Sequence, residues 1–476
     1  MKERIEQCYP VIWAALVISI TGCGGGGSSG GQEMTGGTPA AAPAVFSASN
    51  GVDGNEPWRS DGTEAGTYMV KDINPGGDSQ PRGFVSFAGN VFFEANDGTG
   101  EEVWMSNGES EQTTMLKDIN TAGASRPSDL TVLQGKLYFR ADDGTHGHEP
   151  WVSDGTPSGT SLLKDINPGG SGSNGRPQGA AGGQVILAAA DGTHGYELYR
   201  TDGGTGGTVL LADINDGPAS AYLQNFGQMG GELYFGAKDG QHGNEIWKTD
   251  GTESGTVMVS DIQAGAEGSF PNGGREFQAV GGVLYFTADD GVHGVGLWKT
   301  DGTEAGTALV HDINDGGDDD VAELTPLNGK LYFQANDGIN GNELWVTDGT
   351  SAGTKMVKDI NAGGGASSNP GSGGIAVYQG ALYFSAYDGQ RELWKSDGTA
   401  EGTVLIKDID GDPTTDSFSP FYGGWWVIEA GVLFAADDGV HGCELWITDG
   451  SESGTRLVKD MNLGLNNGFD DRCGSS

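Results

Sequence analysis

A segment of about 48 residues repeats along this chain, and the repeat limits the possible folds more than any other feature. One copy reads LYFRADDGTHGHEPWVSDGTPSGTSLLKDIN (residues 137–167), and a later copy reads LYFQANDGINGNELWVTDGTSAGTKMVKDIN (331–361). One aromatic residue marks each of nine copies, at intervals of 46 to 52 residues. The nine markers are Trp58, Trp104, Trp151, Tyr199, Trp247, Trp298, Trp345, Trp394 and Trp446. Self-similarity at this period is typical of solenoids, propellers and repeat arrays.

Turn signals divide each copy into short strands. The LYFxA segment runs into Asp-Gly, a strong hairpin signal, and the ELWxTD segment ends in a second Asp-Gly. A third strand of the type LVKDI follows, and a weaker fourth strand leads into the next copy. Because Gly or Pro interrupts every window of about ten residues, no helical period is sustained. The sequence therefore predicts an all-β chain.

The strand cores indicate how the copies pack. Leu331-Tyr332-Phe333 and Leu344-Trp345 place bulky apolar groups at adjacent positions, and hence on both faces of a sheet. A sheet with one solvated face would alternate apolar and polar residues instead. A four-stranded blade packed between two neighbours needs apolar groups on both faces, and about 48 residues is the size of such a blade. We therefore predict a β-propeller over residues 45–462.

The number of blades follows less directly from the repeats. The chain contains nine copies of the first three strands but eight intervening fourth strands. Nine blades close if the C-terminal tail (463–476) or the end of the preceding segment supplies the missing strand. We expect about nine four-stranded blades, with an eight-bladed ring and an irregular terminal copy as the alternative.

The recurring motif resembles the bacterial ELWxxDGT repeat family of exported surface proteins. Glu343-Leu344-Trp345 with Asp348-Gly349-Thr350 matches the motif fully, whereas Tyr199 and Gly296 depart from it. The resemblance covers residues 45 to about 462. It implies an exported repeat scaffold and supplies no catalytic activity or ligand.

The amino terminus has the pattern of an export signal. Residues 1–22 contain an apolar run (VIWAALVISI) too short for a membrane span, and Ile20-Thr21-Gly22-Cys23 resembles a bacterial lipoprotein box. This resemblance implies cleavage before Cys23 and lipidation of its sulfur. Residues 23–44 then form a Gly-rich segment that predicts a flexible tether. We expect an extracytoplasmic lipoprotein of the outer membrane or cell surface; secretion after ordinary cleavage is the alternative.

The charge balance restricts the partners. The chain carries 25 basic and 66 acidic residues, a formal net charge of −41. Such a field repels phosphate backbones and anionic head groups, which argues against nucleic acid and limits membrane contact to the lipid anchor. Glycans and surface proteins remain as partners, and we expect a monomer.

Aspartate recurs in the same loop of each copy and suggests two alternatives. In turns, an Asp side chain accepts hydrogen bonds from backbone N–H groups two residues on, which is a structural role. Carboxylates in a Gly-rich loop can also bind Ca²⁺. The calcium candidates are Asp143, Asp191, Asp239, Asp290, Asp337 and Asp438.

Two further groups of residues are candidates for special roles. Cys443 and Cys473 are suited to a disulfide that fastens the tail to the last repeat, with two free thiols as the alternative. An insert carries Tyr422, Trp425 and Trp426, which either stack on a sugar ring or pack over the ring of blades.

Three functions fit these observations. The first is a binding or adhesion scaffold for glycan, protein or envelope partners, anchored by lipid. The second is a hydrolase or lyase of extracellular polysaccharide, and the third is a structural surface-layer component. The sequence contains no H-E-x-x-H zinc pair, and the predicted all-β chain lacks the helix that a G-x-S-x-G elbow requires, so no catalytic residue is assigned and the scaffold is favoured.

Overall fold

The fold was analysed in a computed structural model, which describes residues 43–270, 276–412, 415–418, 424–463 and 467–469. Thirty-five strands form nine antiparallel sheets, one for each copy of the repeat. The described helices are two 3-10 turns, Ser110–Gln112 and Ser351–Gly353. No helix in these ranges has the length and apolarity needed to cross a membrane.

The strands of the first five blades are as follows. Blade 1 contains β1 (Ala44–Ser49), β2 (Asn55–Ser60) and β3 (Tyr68–Met69). Blade 2 contains β4 (Arg82–Phe87), β5 (Asn90–Asn96), β6 (Glu101–Ser106) and β7 (Thr114–Lys117). Blade 3 contains β8 (Ser128–Leu133), β9 (Lys136–Asp142), β10 (His148–Ser153) and β11 (Ser161–Leu162). Blade 4 contains β12 (Arg176–Ala181), β13 (Gln184–Ala190), β14 (Tyr196–Thr201) and β15 (Val209–Ala212). Blade 5 contains β16 (Gln224–Met229), β17 (Glu232–Ala237), β18 (Glu245–Thr249) and β19 (Val257–Ser260).

The remaining four blades complete the fold. Blade 6 contains β20 (Phe277–Val280), β21 (Val283–Asp289), β22 (Val295–Thr300) and β23 (Ala308–His311). Blade 7 contains β24 (Ala322–Leu327), β25 (Lys330–Asn336), β26 (Asn342–Thr347) and β27 (Lys355–Lys358). Blade 8 contains β28 (Ala376–Tyr378), β29 (Ala381–Tyr387), β30 (Arg391–Ser396) and β31 (Val404–Lys407). Blade 9 contains β32 (Trp425–Ile428), β33 (Gly431–Asp437), β34 (Cys443–Thr448) and β35 (Arg456–Lys459).

The apolar core lies between the blades. In blade 7, Phe333 is paired with Trp345, and Trp345 with Met356, so aromatic residues meet across the sheet. Nine buried apolar clusters occur in the described chain, and each joins two neighbouring blades. One of the nine joins blade 9 to blade 1, where the Phe46 and Trp426 rings lie 5.1 Å apart. Burial of both sheet faces, predicted from adjacent apolar residues, is thus confirmed.

Polar contacts close the ring in the same way that they join consecutive blades. Lys71 of blade 1 donates its Nζ hydrogen to the Thr113 carbonyl of blade 2, at 2.8 Å. Lys459 of blade 9 makes the equivalent 2.7 Å bond to the Thr67 carbonyl of blade 1. The chain is therefore a nine-bladed β-propeller, and the eight-bladed alternative is wrong.

The first blade differs from the other eight. It has three strands among the described residues, and residues 1–42, which precede β1, lie outside those ranges. The described part of the tail lies beside β1, because Ser49 donates its N–H to the Gly468 carbonyl at 2.7 Å. Phe469 packs on Phe46 with ring centroids 5.6 Å apart. The tail residues 467–469 thus contribute contacts to the seam between blades 9 and 1.

Two faces of the ring result from this topology. The first strands of neighbouring four-stranded blades lie against each other and so form the inner edge. We call one face the DG-loop face; it carries the connectors between blades and the loops that join the LYF strand to the ELW strand. These loops are 50–54, 97–100, 143–147, 191–195, 238–244, 290–294, 337–341, 388–390 and 438–442. The opposite, DGT-turn face carries the remaining turns, and β1 begins there at Ala44.

Candidate binding face

The glutamate of each Glu-Leu-Trp motif is buried and fixes the connectors of the DG-loop face. Glu343 has no exposed surface, and its carboxylate accepts bonds from the Ile360 N–H (2.9 Å), the Ser368 N–H (3.0 Å) and the Ser368 hydroxyl (2.6 Å). Burial raises the pKa of Glu343, and these hydrogen bonds offset part of that effect. The equivalent buried residues are Glu56, Glu102, Glu149, Glu197, Glu245, Glu392 and Glu444. The motif therefore serves the fold by tying the last strand and the next connector to one carboxylate.

Blade 6 lacks this glutamate and replaces it from the other side. Gly296 stands at the glutamate position, and Asp319 stands where blade 7 has Ser368. The Asp319 carboxylate accepts bonds from the Ile313 N–H (3.2 Å) and the Asn314 N–H (2.8 Å). A Cβ at Gly296 would lie 3.0 Å from Asp319 Oδ2, so the aspartate fills the space that the glycine leaves. The two substitutions compensate each other.

The aspartates predicted to bind calcium cap their own loops. Asp143 Oδ1 accepts bonds from the N–H groups of Thr145 and His146, both at 2.9 Å, and Oδ2 lies 2.7 Å from His146 Nδ1. Burial would raise the pKa of Asp143, but the hydrogen bonds from His146 and Thr145 outweigh it and lower the pKa. The same pattern holds at Asp191, Asp239, Asp290 and Asp438, whereas Asn340 replaces the histidine opposite Asp337. The structure does not bring these six residues together, and calcium binding at them stays a prediction.

Blade 8 contains the group of carboxylates best placed to hold a metal ion. Ligand atoms of Glu392, Asp408 and Asp410 all lie within 4.8 Å of one another. Asp410 takes the place of the asparagine found after Asp-Ile in most other blades, such as Asn361. Burial raises the pKa of Glu392 to about 7, and Asp410 contributes to that increase. Sequence reasoning missed this group because Glu392 is distant from the other two along the chain.

The remaining predicted site residues are placed as follows. Cys443 is fully buried and disulfide-bonded. Cys23 and Cys473 fall outside the described residues, so lipidation and the partner of Cys443 stay predictions.

The aromatic insert contributes to the core. Trp425 is 2 % exposed, with its ring centroid 6.0 Å from Phe418 and 5.6 Å from Phe434. Trp426 is partly buried at the seam, with its ring 5.1 Å from Phe46. Tyr422 lies outside the described residues. Other aromatic rings therefore cover Trp425. Of the two alternatives for this residue, packing against the blades fits its position, and stacking on a sugar ring does not.

A polar pocket of about 260 Å³ opens in blade 2. Its walls include Glu102, Met115 and Asp118, together with Thr99. The loop of this blade is one residue shorter than that of blade 3 and has no counterpart of His146. The pocket thus lies where several other blades have a histidine side chain.

Four arginines and three acidic residues that depart from the repeat lie together on the DG-loop face of blades 2 to 4. We call this group the arginine patch; its members are Arg82, Arg126, Arg140, Arg176, Glu94, Glu101 and Asp129. Other charged departures on this face, Asp320, Glu323 and Arg391, lie in blades 7 and 8. In blade 2, Arg82 Nε lies 2.8 Å from Glu94, and its Nη2 pairs with Glu101. In the next two blades, the Nε atoms of Arg140 and Arg176 lie 3.6 Å and 3.7 Å from Asp129. Ion pairs thus occur within blade 2 and within blade 3, and Asp129 links blade 3 to blade 4.

Polar side chains extend the patch beyond its ion pairs. Asn174 accepts a 3.3 Å bond from Arg140 Nη1 at its side chain, and its backbone carbonyl accepts a 3.2 Å bond from the Tyr196 hydroxyl. Burial raises the pKa of Tyr196 to about 12 and that of Glu94 to about 8, although Arg82 opposes the latter shift. His148 has a lowered pKa because it is buried and close to Arg140. The patch therefore combines four arginines with three acidic side chains, of which Glu94 is the most buried.

Outside blade 2, the position equivalent to Arg140 carries uncharged residues in the other blades. The residue corresponding to Arg140 is Ala188 in blade 4, Gly236 in blade 5 and Ala435 in blade 9. The rim of the face varies as well, because the loop tips of blades 6, 7, 9 and 1 expose aliphatic side chains. These are Val292 (71 % exposed), Ile339 (70 %), Val440 (62 %) and Val52 (83 %). The DG-loop face is thus polar and cationic on one arc and aliphatic on the other.

Comparisons with known proteins add little beyond the architecture. No protein-family model matches the chain, and no curated protein does. Among solved structures, the chain is similar to the computationally designed Ika8 protein (18 % identity, TM-score 0.40, covering 75 % of this chain and 96 % of that one). It is also similar to puromycin hydrolase (14 %, 0.38, covering 80 % and 60 %) and to a structure from a study of two prolyl endopeptidases (14 %, 0.40, covering 75 % and 54 %). The chain spans little more than half the length of these two enzymes, and similarity this low assigns no function.

Proposed function

We propose that this protein is a lipid-anchored, surface-exposed binding scaffold whose DG-loop face contacts a glycan, a protein surface or the envelope. One observation carries the proposal: four arginines that depart from the repeat lie in one patch, in three consecutive blades, on one face of the ring. A residue needed for the fold alone recurs around the ring, as the buried glutamates do in eight of the nine blades. A residue that serves a partner is needed only where that partner lies.

The place where the chain enters the ring supports the choice of the DG-loop face as the binding face. β1 begins at Ala44 on the DGT-turn face, and the predicted tether precedes it. A tether from Cys23 would therefore join the ring at the DGT-turn face and leave the DG-loop face uncovered by the anchor.

A second function, polysaccharide cleavage, is favoured by one local arrangement. His148 and Tyr196, two side chains able to transfer protons, lie close to Arg140 within the arginine patch. Cleavage by elimination would generate unsaturated sugar ends that absorb in the ultraviolet.

The experiment uses the full-length protein, fluorescently labelled, on envelope preparations and on a glycan array. We expect saturable binding without release of new sugar ends. Release of new sugar ends would support the polysaccharide-cleaving enzyme instead. If the protein binds saturably to none of the array glycans and to none of the envelope fractions, the function that still fits is a structural surface-layer component.

A further inference from the structure

We propose that the arginine patch binds an acidic glycan, namely a polysaccharide that carries sugar carboxylates as well as free hydroxyls. This inference rests on the proposed binding function and specifies its ligand. It follows from three features of the patch, which concern its charge, its mixture of polar groups and its exposed aromatic neighbour.

The first feature is accessible positive charge on an acidic molecule. The side chains of Arg82 and Arg176 are 51 % and 36 % exposed, and Arg126 is exposed without an ion-pair partner in the described part of the chain. Guanidinium groups bind carboxylates through paired N–H bonds, and such charge-assisted bonds are stronger than neutral ones. An anionic ligand repelled by the rest of a chain with net charge −41 is therefore attracted at this place.

The second feature is the presence of acceptors between the arginines. Asp129 lies between Arg140 and Arg176, and Glu101 lies beside Arg82. A ligand of dense uniform charge, such as polyphosphate, would be repelled by these carboxylates. A uronate-type sugar instead presents hydroxyl donors to Asp129 and Glu101, and a carboxylate to the guanidinium groups.

The third feature is a row of exposed side chains on the connectors that lead into the inner strands. The residue directly after the buried Ser or Ala of each connector is Gln80, Arg126, Asn174 and Tyr222 in successive connectors. All four have a positive φ, between 45° and 51°, and Asp320 and Asn369 of two later connectors also have a positive φ, so the repeat presents the residue at this position in the same way each time. Tyr222 is 65 % exposed, and an exposed aromatic ring offers a flat apolar surface to a sugar ring.

A polymer fits this row better than a single sugar does. Arg126, Asn174 and Tyr222 belong to three consecutive connectors, so their side chains follow one another around the inner edge. The row offers a cation, an amide and an aromatic ring in turn. An extended chain of several sugar units would contact all three at once.

The test measures calorimetric affinity of the full-length protein for oligogalacturonate, for a neutral cello-oligosaccharide of equal length and for a poly-glutamate peptide. The variants are Arg126→Gln combined with Arg176→Gln, and Tyr222→Ala. Arg59→Gln and Arg200→Gln serve as matched controls, since these arginines bond turn carbonyls of the DGT-turn face (Gly108 and Gly251). Circular dichroism verifies that every variant is folded.

We expect oligogalacturonate to bind more weakly as NaCl rises from 50 to 500 mM, as ionic contacts require. The double arginine variant should lose at least tenfold in affinity and Tyr222→Ala about fivefold, while the controls change less than twofold. Equal affinity for the neutral oligosaccharide, or binding of poly-glutamate alone, overturns the acidic glycan but leaves a binding scaffold. Equal loss in patch and control variants places the ligand elsewhere, and the envelope assay then decides the proposed function separately.

Discussion

Exchanging the two residues that distinguish blade 6 from blade 7 tests whether one buried carboxylate holds each blade together. Glu343→Gly removes the acceptor of the Ile360 N–H and of two Ser368 donors. Ser368 retains the Asn342 carbonyl as a second partner for its N–H (3.0 Å) and hydroxyl (3.3 Å), so Ile360 is the donor left without a partner.

The magnitude follows from these contacts. An orphaned buried amide costs about 1–3 kcal/mol, and the lost charge-assisted bonds and the empty space add to it, giving a loss of about 3–5 kcal/mol. Ser368→Asp alone places a second carboxylate beside Glu343 and should also destabilise. The double variant reproduces Gly296 and Asp319, which coexist naturally, and should recover to within about 2 kcal/mol of the parent.

The assay is guanidinium chloride unfolding of the four proteins, followed by tryptophan fluorescence. Our account requires a strongly favourable coupling between the two substitutions. A double variant no more stable than Glu343→Gly would refute the idea that either side of the blade can supply the carboxylate.

Three further predictions concern pH, the seam and cations. Folding raises the pKa of Glu197, Glu392 and Glu444 to about 7, so the folded state binds more protons than the unfolded state between about pH 4.5 and 7. The guanidinium chloride concentration at the unfolding midpoint should therefore be lower at pH 7.5 than at pH 5, and a higher concentration at pH 7.5 would contradict these pKa shifts. Lys459→Met should lower the guanidinium chloride midpoint of unfolding as much as Lys358→Met does, since both lysines bond a threonine carbonyl of the next blade at 2.7 Å. No effect of Lys459→Met would indicate that blades 9 and 1 do not meet. Ca²⁺ should raise the melting temperature of the parent protein more than that of the Asp410→Asn variant, in which blade 8 carries the asparagine found in most other blades. Equal increases in melting temperature for the two proteins would exclude the blade 8 carboxylates as a calcium site.

The fold could be predicted because its information is repeated. Adjacent apolar residues such as Leu344 and Trp345 recur in most copies, and their burial on both faces follows from strand geometry alone. The blade number was harder to predict, because the first copy shows three strands among the described residues and the contacts of Phe469 are not encoded in the repeat.

The candidate site was harder still, because its signal lies in differences between copies. Gly296 departs visibly from the repeat motif in the sequence, but its partner Asp319 is recognisable only when the connector is seen to return beside the strand. Arg140 and Asp129 likewise do not stand out when the sequence of blade 3 is read alone, because their difference from other blades appears only when the copies are compared. Aligning the nine copies and marking residues such as Tyr222 that stand on the same connectors would have indicated the patch.

Ring closure decides whether a common binding face exists at all, and spin-label distances measure it most directly. Val440 and Val52 are exposed at the loop tips of blades 9 and 1, as Val292 and Ile339 are at those of blades 6 and 7. In a closed ring, labels at 440 and 52 should show the same separation as labels at 292 and 339, because both pairs span one blade interface. A clearly longer distance for the first pair would mean that the blades form an open array, and the DG-loop face would not exist as one surface.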